Sequence, residues 1–141
     1  MSLGTMLDKM RETGKAMARN SFIAEEDLKR LPQMSRQELD ELPFGAVKVD
    51  DQGQILIYNR GEGEIAGFAP REVEGKNFFT QLAVCTNNDI FFGSFRKGVA
   101  ENDLNLLFNY TFTYKIAPLN VRVHLYRDPD TRSNFVLVSK N

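Results

Sequence analysis

The feature that most constrains this chain is a strict alternation of apolar and polar residues in its last third. The apolar positions are Phe108, Tyr110, Phe112, Tyr114 and Ile116 in one segment, and Leu119, Val121, Val123 and Leu125 in the next. A period of two is typical of a β-strand with one buried face, so two long antiparallel strands are predicted here. Pro118 marks the turn between them, and His124 falls on the polar, outward side of the second strand.

Three further strands are predicted outside this region. Residues 44–50 and 54–59 form two strands joined by the turn sequence Asp51-Gln52-Gly53. Residues 134–138 form the last strand, after a turn at residues 128–130. The order is two strands, a helical block and three more strands, which predicts an α+β fold with a central five-stranded antiparallel sheet.

The helical block between the two groups of strands contains short helices and one longer helix. The short helices are predicted at residues 62–67, closed by a glycine, and at residues 69–75, with proline at the first helical position. The longer helix runs from Asp89 to about Ala100. Its buried stripe is Phe91, Phe95 and Val99, which are four residues apart.

Residues 1–34 are predicted to form a helical extension of the compact domain that residues 35–141 form. Within residues 1–20, helical spacing is shown by Leu3, Leu7, Met10 and Met17. Ser21 is predicted to cap a second short helix that ends at Pro32. The sequence Ser35-Arg-Gln-Glu38 is a capping box, so another helix is predicted to begin there.

The composition argues against several classes of function. The 141 residues carry a formal net charge of -1, which offers no electrostatic attraction to nucleic acid or to an anionic membrane. One cysteine cannot form an internal disulfide, which suits a cytoplasmic protein, and one cysteine with one histidine cannot build a structural zinc site. No apolar run is long enough to span a membrane, and the N-terminus lacks a signal-peptide core.

The single cysteine, Cys85, lies where an apolar run gives way to a polar one. The apolar run includes Phe78, Phe79, Leu82, Ala83 and Val84, and the polar run is residues 86–89. A thiol at such a boundary can face a buried ligand and still be reached from solvent. A free cysteine is more often an inert core residue, so the position alone leaves a tether and a packing role both open. The 11 phenylalanines supply enough aromatic surface to line a pocket for a flat ligand.

Six short segments together resemble the photoactive yellow protein family, whose members are blue-light receptors built on a PAS domain. The segments are Leu42–Ala46, Tyr58-Asn59-x-x-Glu62-Gly63, Gly75–Phe79, Cys85-Thr86, Gly98–Ala100 and Asn109–Tyr114. The resemblance extends over about residues 39–138. Its specific part is the register of Tyr58, Glu62 and Cys85 with the sequence Gly-Lys-Asn-Phe-Phe. The resemblance implies a PAS fold and a role in sensory signalling.

The same resemblance implies a chromophore, p-coumaric (4-hydroxycinnamic) acid, attached as a thioester to Cys85. It also implies that Tyr58 and a protonated Glu62 hydrogen-bond the phenolate oxygen. A phenolate out of water needs strong donors, and a tyrosine hydroxyl and a neutral carboxylic acid are both suitable. A carboxyl group in an apolar pocket tends to stay protonated, although spacing alone favours a solvated acid for Glu62 on a short helix. The other implied pocket positions are Ala66, Phe68, Phe112 and Ile116.

A light response follows from this resemblance. Isomerisation of the chromophore would move the phenolate away from its donors and let Glu62 pass it a proton. A buried carboxylate without a partner is unfavourable, so partial opening of the protein is expected, on its N-terminal side.

Four positions of the family pattern carry other residue types in this chain. Ala66 stands where a threonine that bonds the tyrosine is usual, and Phe68 stands where an arginine usually lies over the chromophore. Ile116 replaces a methionine linked to thermal return, and Val84 replaces the proline that usually precedes the cysteine. Since isoleucine is stiffer than methionine, dark recovery is predicted to be slower than in an Ile116→Met variant.

The residues leave two functions of different classes open. One is a photoreceptor with a covalent chromophore, and the other is a light-insensitive PAS module that binds a protein partner or another small ligand. An enzyme is the least favoured reading, because no Ser/His/Asp or Cys/His arrangement is suggested. The downstream signalling partner is not identified by the sequence, and the N-terminal extension is a candidate contact for a homodimer.

Overall fold

Five antiparallel strands form the frame of the molecule in the computed structural model, which describes residues 21–113 and 117–141. The strands are β1 (Gly45–Val49), β2 (Ile55–Tyr58), β3 (Leu104–Phe112), β4 (Leu119–Asp128) and β5 (Ser133–Lys140). They are arranged in the order β2-β1-β5-β4-β3, so β2 and β3 are the edge strands. The predicted five-stranded antiparallel sheet is therefore confirmed.

Among the described residues, two α-helices precede β1 and three lie between β2 and β3. The described α-helices are α1 (Glu25–Arg30), α2 (Arg36–Asp40), α3 (Arg60–Ala66), α4 (Pro70–Val73) and α5 (Phe92–Glu101). Shorter 3-10 turns occupy Leu31–Gln33 and Val84–Thr86, and a π-helical turn occupies Phe78–Leu82. The predicted capping box is confirmed, because Ser35 accepts from the Glu38 amide while Glu38 accepts from the Ser35 amide. Within the described residues, no helix is long and apolar enough to cross a membrane.

Several element boundaries differ from the sequence prediction. Ser21 does not cap α1, which begins after Ala24 without a side-chain cap; its hydroxyl instead accepts from the Ile23 amide. Strand β3 begins at Leu104 rather than Phe108, because adjacent apolar residues at 106 and 107 hide the alternation there. The predicted helix over residues 1–20, and the predicted strand positions Tyr114 and Ile116, lie outside the described residues.

The sheet has a hydrophobic cluster on each face. Strand β5 shows this directly, since Val136 and Val138 belong to one cluster and Phe135 and Leu137 to the other. Successive strand residues point to opposite faces, so the two clusters are separated by the sheet. The first cluster lies between the sheet and the segment from α3 to α5, and the second packs residues 22–44 against the other face.

The expectation that His124 faces solvent is wrong. It does lie on the face opposite Val123 and Leu125, as the alternation predicts, but its exposed fraction is only 1%. The N-terminal segment covers this face: the Ser21 hydroxyl is 3.3 Å from His124 Nδ1, and the Phe22 ring makes an edge contact. Burial, together with the charge of nearby Arg122, lowers the pKa of His124 to about 4.

Candidate functional site

The candidate site begins where β2 ends and α3 begins. Tyr58 is the last residue of β2 and its side chain is completely buried in the first cluster. The next residue, Asn59, is the N-cap of α3, and its extended backbone turns the chain from the sheet into the helix. Helix α3 therefore starts from a fixed point directly beside the tyrosine.

The Asn59 side chain is buried and connects three parts of the molecule. Its Oδ1 accepts from the Glu62 amide at 2.9 Å and from the Ala46 amide of β1 at 2.8 Å. Its Nδ2 donates to the Leu39 carbonyl at 2.7 Å and to the Phe44 carbonyl at 3.1 Å. One amide group thus anchors the N-terminus of α3 to β1 and to helix α2.

Glu62 lies in the first turn of α3 and points into the protein. Its exposed fraction is 1%, and burial raises its pKa to about 8. The carboxyl packs against Gly45 of β1 so closely that a Cβ atom at that position would collide with Oε2. Among the described residues, Oε2 has no hydrogen-bond partner. At neutral pH the group is therefore a carboxylic acid with a proton to donate.

The end of α3 carries two more of the predicted positions. Ala66 is the last residue of the helix and is buried, and Gly67 ends the helix in the left-handed region with φ 83°. Phe68 follows and is half-buried against the first cluster. The predicted glycine-terminated helix is confirmed, although it starts at Arg60 rather than Glu62.

Cys85 is the middle residue of a short 3-10 turn and is half-buried against the first cluster. Its backbone is held firmly, because its carbonyl accepts from the Tyr110 hydroxyl at 2.6 Å and from Asn88 Nδ2 at 3.0 Å. On either side, Val84 is 55% exposed and Thr86 is buried. The thiol thus stands at the boundary between core and solvent, as the sequence predicts.

Aromatic rings pack along the sheet between these elements. Phe91 is central, with edge contacts to Phe108 at 5.2 Å and to Tyr110 at 5.0 Å between ring centroids. Phe112 is buried and lies 5.9 Å from Tyr110. Because Tyr110 also holds the Cys85 carbonyl, this aromatic group is directly connected to the cysteine turn.

The described positions of the predicted site converge on one side of the sheet. Tyr58 and Phe112 belong to the first cluster, and Phe68 and Cys85 pack against it. Glu62 and Ala66 are buried on α3, which starts two residues after Tyr58. Ile116 lies outside the described residues.

Sequence reasoning assigned no role to several residues that organise this region. They are Gly45, Asn59, Asn88 and Tyr110. Asn59 could have been found, since asparagine before a helix is a capping signal. That signal was missed because the helix was predicted to begin three residues after Asn59, two residues later than it does. The contacts of Gly45 and Tyr110 join distant segments and leave no local pattern.

The fold and its match to a known family define the class of protein. The PAS fold family matches residues 33–139, and a domain of a Geobacter sulfurreducens sensor histidine kinase/response regulator shares the fold with TM-score 0.62 at 17% identity. The chain covers 83% of its own length and 100% of that domain in this superposition. This is a PAS domain.

Closer relatives narrow the assignment. The chain is 43% identical over 110 residues to photoactive yellow protein from Rhodothalassium salexigens, covering 78% of this chain and 88% of the relative. It is 40% identical to that of Halochromatium salexigens with the same coverage. The photoactive yellow protein domain of the sensor histidine kinase Ppr from Rhodospirillum centenum superposes with TM-score 0.75 at 35% identity, covering 80% and 99% of the two chains. The chain belongs to the photoactive yellow protein family of PAS photoreceptors.

Proposed function

We propose that this protein is a blue-light receptor that carries p-coumaric acid as a thioester on Cys85. In this proposal, Tyr58 and Glu62 bind the phenolic end of the chromophore, and Ala66, Phe68, Phe112 and Ile116 line the pocket. The observation that carries it is the Glu62 carboxyl group. It is buried, its pKa is raised to about 8, and its Oε2 has no partner among the described residues.

A buried, unpartnered carboxylic acid normally lowers stability, so its presence calls for a functional reason. A phenolic oxygen bound beside Glu62 would accept the hydrogen bond that Oε2 can donate. Gly45 supports this fit, since the absence of a Cβ there leaves space for the carboxyl group against β1. The residues present therefore suit a ligand with an anionic oxygen acceptor.

When bound, p-coumaric acid supplies absorption of visible light and a double bond that isomerises. With the chromophore bound, Glu62 would hold a proton on its carboxyl group in the dark and would pass it to the phenolate oxygen after isomerisation. The resulting carboxylate is buried without a cation within hydrogen-bond range among the described residues. That charge is unfavourable in an apolar site, and it drives α3 away from β1.

Asn59 links a movement of α3 to the segment that precedes β1. Its side chain joins the Glu62 amide to the carbonyls of Leu39 and Phe44, which belong to the segment covering the other face of the sheet. A shift of α3 therefore loosens the attachment of α2. We propose that a signalling protein binds the surface that this shift exposes. A similar domain is part of a sensor histidine kinase, which supports a signalling role.

The substitutions in the family pattern alter the pocket rather than the attachment. Phe68 places an apolar ring against the first cluster where the family pattern has a cation, which shields the ligand from water. Ala66 is buried and offers no hydroxyl to Tyr58. We propose that these positions, with Ile116, set the colour and the recovery rate.

The test is reconstitution with an activated ester of p-coumaric acid, followed by absorption spectroscopy and mass spectrometry of the intact protein. The wild type should acquire one covalent adduct and an absorption band shifted from that of the free acid, and light should bleach the band reversibly. Cys85→Ala should acquire neither, while its circular dichroism stays unchanged because the side-chain change is small. A wild type that forms no shifted band would favour a light-insensitive PAS module, and a covalent adduct in Cys85→Ala would refute the attachment site.

A further inference from the structure

Strand β2 is an edge strand, and its outer edge is covered by the segment that follows α4. The Gly75 amide donates to the Ile55 carbonyl at 2.8 Å, and the Ile55 amide donates to the Lys76 carbonyl at 2.8 Å. These bonds cover the beginning of the strand only. At its other end stands Tyr58, the residue that the proposed function places at the phenolic end of the ligand.

The Tyr58 amide faces this outer edge. The next amide, that of Asn59, donates across the sheet to the Ala46 carbonyl at 3.0 Å, and successive amides of a strand point in opposite directions. The Tyr58 amide donates instead to Glu74 Oε2 at 2.9 Å. A carboxylate side chain thus occupies the place where a further strand would supply a carbonyl.

Glu74 is in turn held by Arg36, the first residue of α2. Arg36 Nη1 donates to Oε2 at 2.6 Å and Nη2 donates to Oε1 at 3.1 Å, so the guanidinium engages both carboxylate oxygens. The Glu74 side chain is 22% exposed against 51% for Arg36, and the hydrogen bond to Glu74 raises the pKa of Arg36. This fork fixes both the position and the orientation of the carboxylate.

We infer that Glu74 is a positioning residue for Tyr58, with Arg36 as the group that orients it. The inference rests on the proposed function, since it concerns the tyrosine at the phenolic end of the ligand. An ion pair whose arginine is half exposed to solvent adds little to stability. Its main effect is to hold the backbone of Tyr58, and therefore the direction of its hydroxyl, through a link from the N-terminal helix α2.

The experiment compares Glu74→Ala, Glu74→Gln and Arg36→Ala with a matched control, Glu64→Ala. Glu64 forms a more exposed ion pair with Arg60 at 3.1 Å, whereas the Tyr58 amide donates to Glu74. Each protein is reconstituted with an activated ester of p-coumaric acid, and the absorption band, the dark recovery rate and the apparent pKa of the pigment's phenol are measured. Hydrogen exchange of the Tyr58 amide is measured by NMR on the same unloaded proteins.

Glu74→Ala should expose the Tyr58 amide to exchange, move the band to longer wavelength, raise the apparent phenol pKa and change recovery about threefold or more. Glu74→Gln keeps an acceptor oxygen for the amide and should restore most of the wild-type spectrum. Arg36→Ala should fall between these two variants, and Glu64→Ala should match the wild type.

The outcomes separate the two proposals. A wild type that does not load refutes the proposed function and the positioning role with it. A wild type that loads normally, with a Glu74→Ala variant that matches Glu64→Ala in spectrum and recovery, refutes the positioning role alone. A changed spectrum with an unchanged Tyr58 amide exchange also refutes it, because the effect would not pass through that hydrogen bond.

Discussion

Glu62 illustrates how one residue acquires its chemistry from its surroundings. A glutamate in the first turn of a helix is ordinarily a solvated acid that interacts well with the helix N-terminus. Here the side chain is buried against β1, and desolvation raises its pKa from 4.5 to about 8. Glu64, two residues later on the same helix, is 67% exposed and serves as a control for any change at Glu62.

In the reconstituted protein, Glu62→Gln should shift the absorption band to longer wavelength. The amide still donates a hydrogen bond, but it stabilises a phenolate less well and cannot transfer a proton. The measurement is an absorption spectrum with a flash experiment on Glu62→Gln, Glu64→Gln and the wild type. An identical spectrum in Glu62→Gln would show that this carboxyl does not contact the chromophore.

In the protein without chromophore, the pH dependence of stability should reveal the titration of Glu62. The pKa of Glu62 is higher in the folded state than in the unfolded state, so the unfolded state loses its proton first as pH rises. The free energy of unfolding should therefore fall between pH 4.5 and about 8, by up to about 1.4 kcal/mol for each pH unit. In urea denaturation, Glu62→Gln should lose this contribution and Glu64→Gln should keep it. Parallel pH profiles for Glu62→Gln and wild type would contradict the burial of a titrating acid.

At the scale of elements, the attachment of α3 determines where Glu62 stands. Helix α3 is only seven residues long, so its own hydrogen bonds cannot hold it in place. Asn59 caps it and at the same time bonds β1 and the segment from α2 to β1. The buried Asn59 side chain makes four hydrogen bonds, and these bonds attach the helix to the sheet.

Asn59→Ala should lower the free energy of unfolding by about 3 kcal/mol. Loss of a helix cap costs about 1 kcal/mol, and the buried groups left without partners cost about 1–3 kcal/mol more. The matched control is Ser35→Ala, which removes the exposed cap of α2 and should cost about 1 kcal/mol or less. Chemical denaturation measures both, and equal losses in the two variants would show that Asn59 acts only as a cap.

At the scale of the whole molecule, the sheet separates two differently used faces. One face carries the candidate site, and the other is covered by residues 22–44. His124 lies under this cover, between Ser21 on one side and Asn105 Oδ1, 2.5 Å from Nε2, on the other. A neutral imidazole that donates from Nε2 and accepts at Nδ1 satisfies both neighbours.

This histidine should make the protein less stable in mild acid. Its pKa is about 4 in the folded state and 6.5 otherwise, so the unfolded state gains a proton first as pH falls. Stability should therefore decrease from pH 6.5 towards pH 4, by up to about 1.4 kcal/mol for each pH unit, and His124→Gln should remove that slope. Urea denaturation across this range measures the difference, and an unchanged slope in His124→Gln would mean that His124 binds protons equally well in the folded and unfolded states. The sign is opposite to that of Glu62, so the two variants distinguish the two faces.

The sequence by itself determined the parts of the structure that depend on neighbouring residues. The antiparallel strands β3 and β4, the glycine that ends α3 and the capping box at Ser35 depend on backbone torsions and short-range hydrogen bonds, and all three are confirmed. The prediction that β4 has only one buried face is wrong, because residues 123–128 are all buried. The face on which His124 lies also follows from this local periodicity. The family motif then identified Tyr58, Glu62 and Cys85 as candidate site residues on these elements.

Only the tertiary structure decided which of those side chains meet water. His124 faces outward and is nevertheless buried, because the segment at Ser21 and Phe22 returns over it from about 100 residues earlier. Glu62 has a raised pKa because β1 approaches its carboxyl, and the Tyr58 amide finds an acceptor because the chain after α4 runs along β2. Desolvation is a property of every segment packed around a group, and segments far apart in the chain leave no trace of their meeting in the local pattern.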